Sequence, residues 1–331
     1  MSAIPGGDGA VQHEQVYLQA YLLPFQEWLR HPEVSEILVN RPGEMWIEVA
    51  GEPEMRRIDA PRIDDILLRR LSEQIARFSH QGVTRAWPLL SATLPDGARI
   101  QMVGPTATRG HWALAIRRHR LKELCLGDYA RAALAAPAAP ALEIDADDPI
   151  GSLRRAVAAR ATILISGGTS SGKTTFLNAL LREVPASERV IVVEDTPEIR
   201  LHGGNGLALV AVKGELGEAR LSTDDLLQAA LRLRPDRIVL GELRGREAVS
   251  FLRAINTGHP GSFTTIHANS PRGALEQLAL MVMQSGLGLS RADTIAYACS
   301  VIDVVVQLDR RCGQRGVAQI ASTRALASRH C

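Results

Sequence analysis

Gly167-Gly168-Thr169-Ser170-Ser171-Gly172-Lys173-Thr174 carries the spacing G-x-x-x-x-G-K-[ST], and these residue types point to phosphate chemistry. Glycines let a backbone curl until its N–H groups face phosphate oxygens. The start of a following helix adds a partial positive charge. Lys173 supplies a full charge for the β- and γ-phosphates, and the Thr174 hydroxyl is a ligand for Mg²⁺. Gly167, Gly168, Thr169, Ser170, Ser171, Gly172, Lys173, Thr174 and Thr175 are therefore the candidate nucleotide-binding set. The alternative is a plain glycine-rich strand-to-helix turn. The flanks argue for the phosphate loop, because the apolar run Ile163-Leu164-Ile165 precedes it and Phe176, Leu177, Leu180 and Leu181 follow at helical spacing.

Two further strand ends carry acids. Ile238-Val239-Leu240-Gly241-Glu242 is an apolar strand ending in a carboxylate that can hold Mg²⁺ or orient water. Val192-Val193-Glu194-Asp195-Thr196-Pro197-Glu198 is the other. Glu198 is a candidate general base there, and Glu194 or Asp195 a Mg²⁺-side candidate; spacing alone leaves their roles open. His259 and His267 flank the run Ser262–Ile266. His267 can sense a γ-phosphate, although a satisfied structural histidine is the ordinary occupant of such a position. Arg232, Arg234, Arg237, Arg244 and Arg246 cluster nearby. A cation there can neutralise phosphate charge, but surface or interface ion pairing is the reading for most of them.

The elements that must position these groups fall into two patterns. Val11–Arg30 reads as a helix broken near Pro24. Glu36–Asn40 and Met45–Ala50 read as strands around Arg41-Pro42-Gly43, and Ile63–Ser79 as a helix. Ser91–Leu94 and Arg99–Val103 flank the turn Pro95-Asp96-Gly97, and His111–Arg118 reads as a further strand. This mixture predicts a small α+β domain over 1–125. The Ala- and Pro-rich stretch predicts a linker over 126–150. Beyond it, strands at Thr162–Ser166, Val190–Val193, Leu207–Val212, Arg237–Leu240 and Ser262–Ile266 alternate with helices. Those helices are Lys173–Glu183, a segment capped by Ser222 and Asp225, Arg246–Asn256, Pro271–Gln284 and Ser290–Ala298. Strands at Val301–Leu308 and Val317–Ile320 close the chain around Cys312-Gly313. Alternation predicts an α/β domain over 151–331, with a largely parallel sheet and helices on both faces.

A chain of 331 residues fits two domains of ordinary size. The net charge of +2 is too small to imply a nucleic-acid or anionic-membrane partner. Cys125, Cys299, Cys312 and Cys331 show no metal-ligand rhythm, which suits a reducing compartment. No apolar run reaches the roughly 18 residues of a membrane span. A cytoplasmic protein is the expectation.

The order GGTSSGKT, VVEDTPEI, LRLRPDRIVLGELRG, TGHPGSFTTIHANSP resembles the secretion ATPase superfamily, where the motifs are termed Walker A, Asp box, Walker B and His box. Within it the chain looks most like the VirB-eleven-type ATPases of bacterial type IV secretion, supported by EILVNRPGEMWIE, LPDGARIQMVGP and LAIRR in the first half. The resemblance implies a RecA-like P-loop domain and an ATP- and Mg²⁺-dependent hydrolase. It also implies a homohexamer, peripheral at the cytoplasmic face of the inner membrane. Its partners would be inner-membrane and coupling components, and its cargo protein or DNA–protein. It implies Lys173 and Thr174 on phosphates and Mg²⁺, Glu198 as catalytic base, Glu242 on Mg²⁺ and water, and His267 as nucleotide sensor. Arg99 and Arg117 match N-terminal arginines that reach the γ-phosphate when domains close.

Rival readings are a type II secretion or type IV pilus motor, a nucleic-acid motor, and a non-hydrolysing scaffold. A tetracysteine insertion carried by many type II assembly motors is missing from the sequence. A nucleic-acid motor needs a basic track and usually stacking aromatics, and aromatics make up only 4% of the chain. The retained Glu198 and Glu242 argue against a scaffold.

Overall fold

The computed structural model describes residues 16–118, 125, 144–211 and 219–327. Residues 11–15 of the expected first helix, 126–143 of the expected linker, Val212 and Cys331 lie outside them.

Residues 34–117 build a six-stranded antiparallel sheet in the order β3-β2-β1-β6-β5-β4. Its strands are β1 (Val34–Val39), β2 (Gly43–Val49), β3 (Arg56–Ala60), β4 (Leu89–Thr93), β5 (Arg99–Val103) and β6 (Ala113–Arg117). Period-two alternation gives the sheet two different faces. Ile37, Val39, Ile100, Met102, Leu114 and Ile116 point toward the helix Asp65–Phe78, which buries Leu68, Leu71 and Ile75 against them. Leu38, Val103, Ala113 and Ala115 point the other way and join the core of the second sheet. The small alanines let the two layers approach.

That second sheet has seven strands, ordered β13-β12-β7-β11-β10-β8-β9. They are β7 (Ile163–Gly167), β8 (Val190–Glu194), β9 (Gly206–Val210), β10 (Arg237–Leu240), β11 (Phe263–Ile266), β12 (Val304–Arg311) and β13 (Gln314–Ser322). All pairings are parallel except β12 with β13. Ile163 and Ile165 face helices Pro149–Ala158 and Lys173–Leu181. Leu164, Ile191, Val193, Ile238 and Leu240 face the opposite side, with helices Thr223–Leu231, Glu247–Asn256 and Pro271–Gln284. Both sides are covered, as a parallel sheet requires. The expected capping box is present: the Ser222 hydroxyl accepts from Asp225 N–H, and the Asp225 carboxylate accepts from Ser222 N–H.

Several elements differ from expectation. The first helix does break at Pro24, through a 3-10 turn over Leu23–Phe25. Strand β3 was not anticipated. Helix Pro149–Ala158 begins inside the expected linker, with Asp148 accepting from Gly151 N–H as its cap. Val301 ends a helix rather than starting a strand, and β12 begins at Val304. The β12–β13 hairpin turns through Cys312 and Gly313, whose φ values of 50° and 82° suit a type I′ turn.

A buried polar bridge joins the layers. Asn205, in a segment to which the sequence assigned no role, accepts from Asn40 Nδ2 at 3.1 Å. Arg189, fully buried, donates to Asn40 Oδ1 at 2.7 Å and to Asn205 Oδ1. Burial holds the Arg189 guanidinium down to about 9. Arg234 adds a partly exposed pair to Glu48 at 2.7 Å.

Candidate active site

A cavity of about 590 Å³ opens at the C-terminal edges of β7, β8, β10 and β11, where ligands of open α/β sheets bind. It is lined by residues 169–175, by Glu198, by Glu242 with Arg244, by His267, and by Arg315 from the β12–β13 hairpin. Lys173, Thr174, Glu198, Glu242 and His267, far apart in sequence, therefore share one space.

The phosphate loop has the expected local form. Gly172 has φ +94° just before the helix Lys173–Leu181, a conformation that strains any residue with a Cβ. A Cβ there would also press on Arg315 Cδ at 3.0 Å. Lys173 is buried; its Nζ donates to the loop's own carbonyls, Gly167 O at 3.0 Å and Gly168 O at 3.2 Å, and lies 3.3 Å from His267 Nδ1. Burial lowers its pKa and Glu242 opposes that. The cation is already placed, held only by groups it can exchange.

The acids sort themselves by their partners. Glu242 meets His267 Nε2 at 2.7 Å and also pairs with Arg244. Arg244 reaches Asp195 Oδ2 at 3.4 Å, and Thr223 donates to Asp195 Oδ1 at 3.2 Å. Glu194 is buried, and its Oε2 accepts the N–H groups of Glu198 and Ile199, both at 3.0 Å. It shapes the turn that presents Glu198. Among the described residues, the hydrogen bonds of Glu198 run through its backbone, including its carbonyl accepting from Asn178 at 3.1 Å. Its carboxylate is exposed to the cavity and uncommitted. One acid is thus engaged by Arg244 and His267 and another left free, a distinction the sequence could not make.

A buried cation, hydroxyls from Thr174 and Thr175, and helix-start N–H groups in such a volume suit a nucleotide's phosphates. Comparison with known proteins gives the same direction. Residues 22–331 match the family model described as type II/IV secretion system protein. The chain belongs to that family. A type IV secretion system protein PtlH homolog of Bordetella bronchiseptica is 38% identical over 320 residues, covering 92% of this chain and 94% of its own. The VirB11 protein of Bartonella henselae is 34% identical over 325 residues, covering 90% and 91%. Among solved structures, the VirB11 ATPase from the Brucella suis type IV secretion system, in complex with sulphate, superposes with a TM-score of 0.87. It is 33% identical and covers 97% of this chain and 98% of its own.

Within the single chain, the two N-terminal arginines lie apart from this cavity. Arg99 and Arg117 do not line the cavity that holds Lys173. They are register partners on adjacent strands β5 and β6 of the six-stranded sheet. Both open into a second cavity of about 750 Å³ with Glu36, Glu48, Arg232, Arg234 and His259. The pairing of β5 with β6 places them side by side, but on the face of a different sheet from the phosphate loop. His259 also belongs there, its Nδ1 3.0 Å from Pro235 O, and burial lowers its pKa. Of the other arginines, Arg237 is fully buried and structural, Arg232 reaches Ser91 at 2.8 Å, and Arg244 alone among the five clustered arginines lines the first cavity.

Two residues of the first site escaped sequence reasoning. Arg315 arrives through the hairpin register, and Arg109 pairs with Glu194 from the six-stranded sheet. Neither sits in a motif, so no local signal could have found them.

The second cavity carries a prediction. Glu36 is 6% exposed, and burial pushes its carboxyl up from 4.5 to about 7, with Arg117 at 3.6 Å opposing and Glu48 reinforcing. A folded-state value above the unfolded one means the native protein binds the extra proton between those two values. Its contribution to stability is thus complete below about 4.5 and is lost as pH rises through about 7. Glu36→Gln removes the cost of the buried charge. At about 1.4 kcal/mol per pKa unit, the variant gains up to about 3 kcal/mol over wild type at pH 8 and little at pH 5. Urea melts at both pH values check this; an equal difference at the two would refute it.

Proposed function

We propose that this chain is an ATP-hydrolysing motor of a type IV secretion system, converting ATP and water to ADP and phosphate. The observation that carries the reading is the convergence of Lys173, Thr174, Glu198, Glu242 and His267 on one cavity at a helix N-terminus. In this reading residues 151–331 form a RecA-like P-loop domain, residues 1–125 a smaller α+β domain, and 126–150 the link between them. The strand order, with β11 between phosphate-loop strand β7 and acid-bearing β10, supports it.

Each side chain then has a task. Residues 167–175 cradle the phosphates through backbone N–H groups. Lys173 leaves its loop carbonyls and neutralises the β- and γ-phosphate oxygens. Glu198, whose carboxylate is free, accepts the proton of the attacking water as its oxygen bonds to the γ-phosphorus and the bridging bond breaks. Thr174 and Glu242 are the residues that would hold Mg²⁺, which when bound supplies charge neutralisation between the phosphates. Glu242 is also held by Arg244 and His267, so His267 would register whether that acid is engaged elsewhere. Arg99 and Arg117 belong to the second cavity and have no step in this single-chain scheme.

Working as a homohexamer at the cytoplasmic side of the inner membrane, with channel and coupling proteins and a protein or DNA–protein cargo, completes the reading. The full-length similarity to VirB11 and PtlH proteins supports it. Among the described residues no helix is long and apolar enough to cross a membrane. Specific ATPase activity measured against protein concentration tests the ring. Activity per chain should rise with concentration to a plateau; a flat profile would rule out a ring-dependent mechanism.

A further inference from the structure

The carboxylate proposed as base is held by a turn whose two ends are tied to the other sheet by a single side chain. Glu194 closes the turn by accepting from the N–H groups of Glu198 and Ile199 with one oxygen. Its other oxygen takes Arg109 Nη2, and the same Nη2 donates to the Ile199 carbonyl at 2.5 Å. Arg109 thus grips the residue before the turn and the residue after it. Its own loop is fastened to the six-stranded sheet. Thr108 Oγ1 donates to His111 O at 2.5 Å, His111 Nδ1 lies 2.9 Å from Asp65, and Trp112 N–H donates to Asp65 at 3.0 Å. Asp65 begins the helix that packs on that sheet.

Other bridges between the layers lie elsewhere. Asn40, Asn205 and Arg189 join them at the start of β8 and β9, and Arg234 joins Glu48 just before β10. Arg109 acts at the opposite, C-terminal end of β8. Of these links, the one made by Arg109 is the one that reaches Glu194.

We infer that Arg109 is a positioning residue that couples the placement of the six-stranded sheet to the presentation of Glu198, and so sets hydrolysis without touching nucleotide. This rests on the ATPase reading above. A guanidinium bridging a buried carboxylate and a carbonyl is a charge-assisted, directional link. Because the Arg109 side chain is itself 39% exposed, it can be released without opening the core.

The experiment compares Arg109→Ala, Arg109→Lys and Lys173→Ala with wild type in the full chain. It reads kcat and KM for ATP, and ADP affinity by calorimetry. Arg109→Ala should lower kcat about tenfold while ADP affinity stays within twofold. Arg109→Lys keeps the charge but replaces the guanidinium fork, and should recover part of kcat. If Arg109→Ala has lost its thermal transition, Arg109→Lys decides: a reduced kcat at unchanged ADP affinity supports the coupling, and wild-type kcat overturns it. Wild-type kcat in Arg109→Ala, beside an inactive Lys173→Ala, would overturn this inference alone. A wild-type chain without ATPase activity, or a Lys173→Ala chain as active as wild type, would instead remove the ATPase reading.

Discussion

Lys173→Ala is expected to lower kcat/KM for ATP by at least 10²–10³, the scale on which one preorganised electrostatic group acts in a water-poor site. The Nζ contacts two carbonyls of its own loop and lies beside His267, so among the described residues its removal breaks no hydrogen bond to a carboxylate. Removing it should cost the fold little while depriving the phosphates of their one buried cation. Burial already lowers the pKa of this ammonium, and a bound polyanion would reverse that, which ties binding energy to the charge itself. Lys173→Arg is a useful companion, because a planar guanidinium cannot occupy a space shaped for a point charge. Steady-state phosphate release and a thermal melt of each variant check the prediction. Hydrolysis persisting in a folded Lys173→Ala would mean the activity does not come from this loop.

The largest stability effect is expected at the opposite edge of the same sheet. Arg237 is fully buried and donates to Glu188 through Nε at 2.6 Å and Nη2 at 2.9 Å. It also satisfies Gly261 O at 3.1 Å and Val157 O at 2.9 Å, and lies over the Phe263 ring at 5.8 Å. Arg237→Ala would take the main partner from the mostly buried Glu188 carboxylate, leaving it only Arg160 at 3.8 Å, and would remove a donor from Gly261 O. Breaking such a pair on one side costs about 3–5 kcal/mol, more than the pair itself contributes. For a chain of this size the melting midpoint should drop by roughly 4–7 °C. Glu188→Gln, which keeps a partner for the guanidinium, should lose less. Denaturant and thermal melts decide, and an Arg237→Ala within about 1 kcal/mol of wild type would show that Glu188 reaches solvent without cost. The pair lies away from the cavity, so ATPase activity of the folded fraction should persist.

Much of the chain was legible because its elements obey simple periods. The central strands are apolar runs of four or five residues, and the helices show i, i+3, i+4 spacing with readable caps at Ser222 and Asp225. Strand β3 was not legible. Arg56-Arg57-Ile58-Asp59-Ala60 has one large apolar side chain, and its strand character comes from pairing with β2 at the sheet edge. Helix Pro149–Ala158 was obscured by the acidic, proline-rich residues before it. In hindsight Asp148 followed by Pro149 is a helix-start signal, a cap and a proline at the first position.

The candidate site divides the same way. Sequence alone determined the phosphate loop, since a local curl of backbone followed by a helix is encoded within eight residues and needs no distant partner. It also named the acids and His267, because each ends a strand whose neighbours are apolar. Only the tertiary structure decided which partners each group meets. Parallel pairing brought β7, β8, β10 and β11 to one edge, and the hydrogen bonds there committed Glu242 to Arg244 and His267 and Glu194 to a turn, and, among the described residues, left the Glu198 carboxylate free. It also moved Arg99 and Arg117 to the second cavity and brought Arg109 and Arg315 in. Those positions depend on how two sheets stack and where a hairpin returns. Such contacts join residues 85 or more positions apart, a separation across which no local spacing carries information.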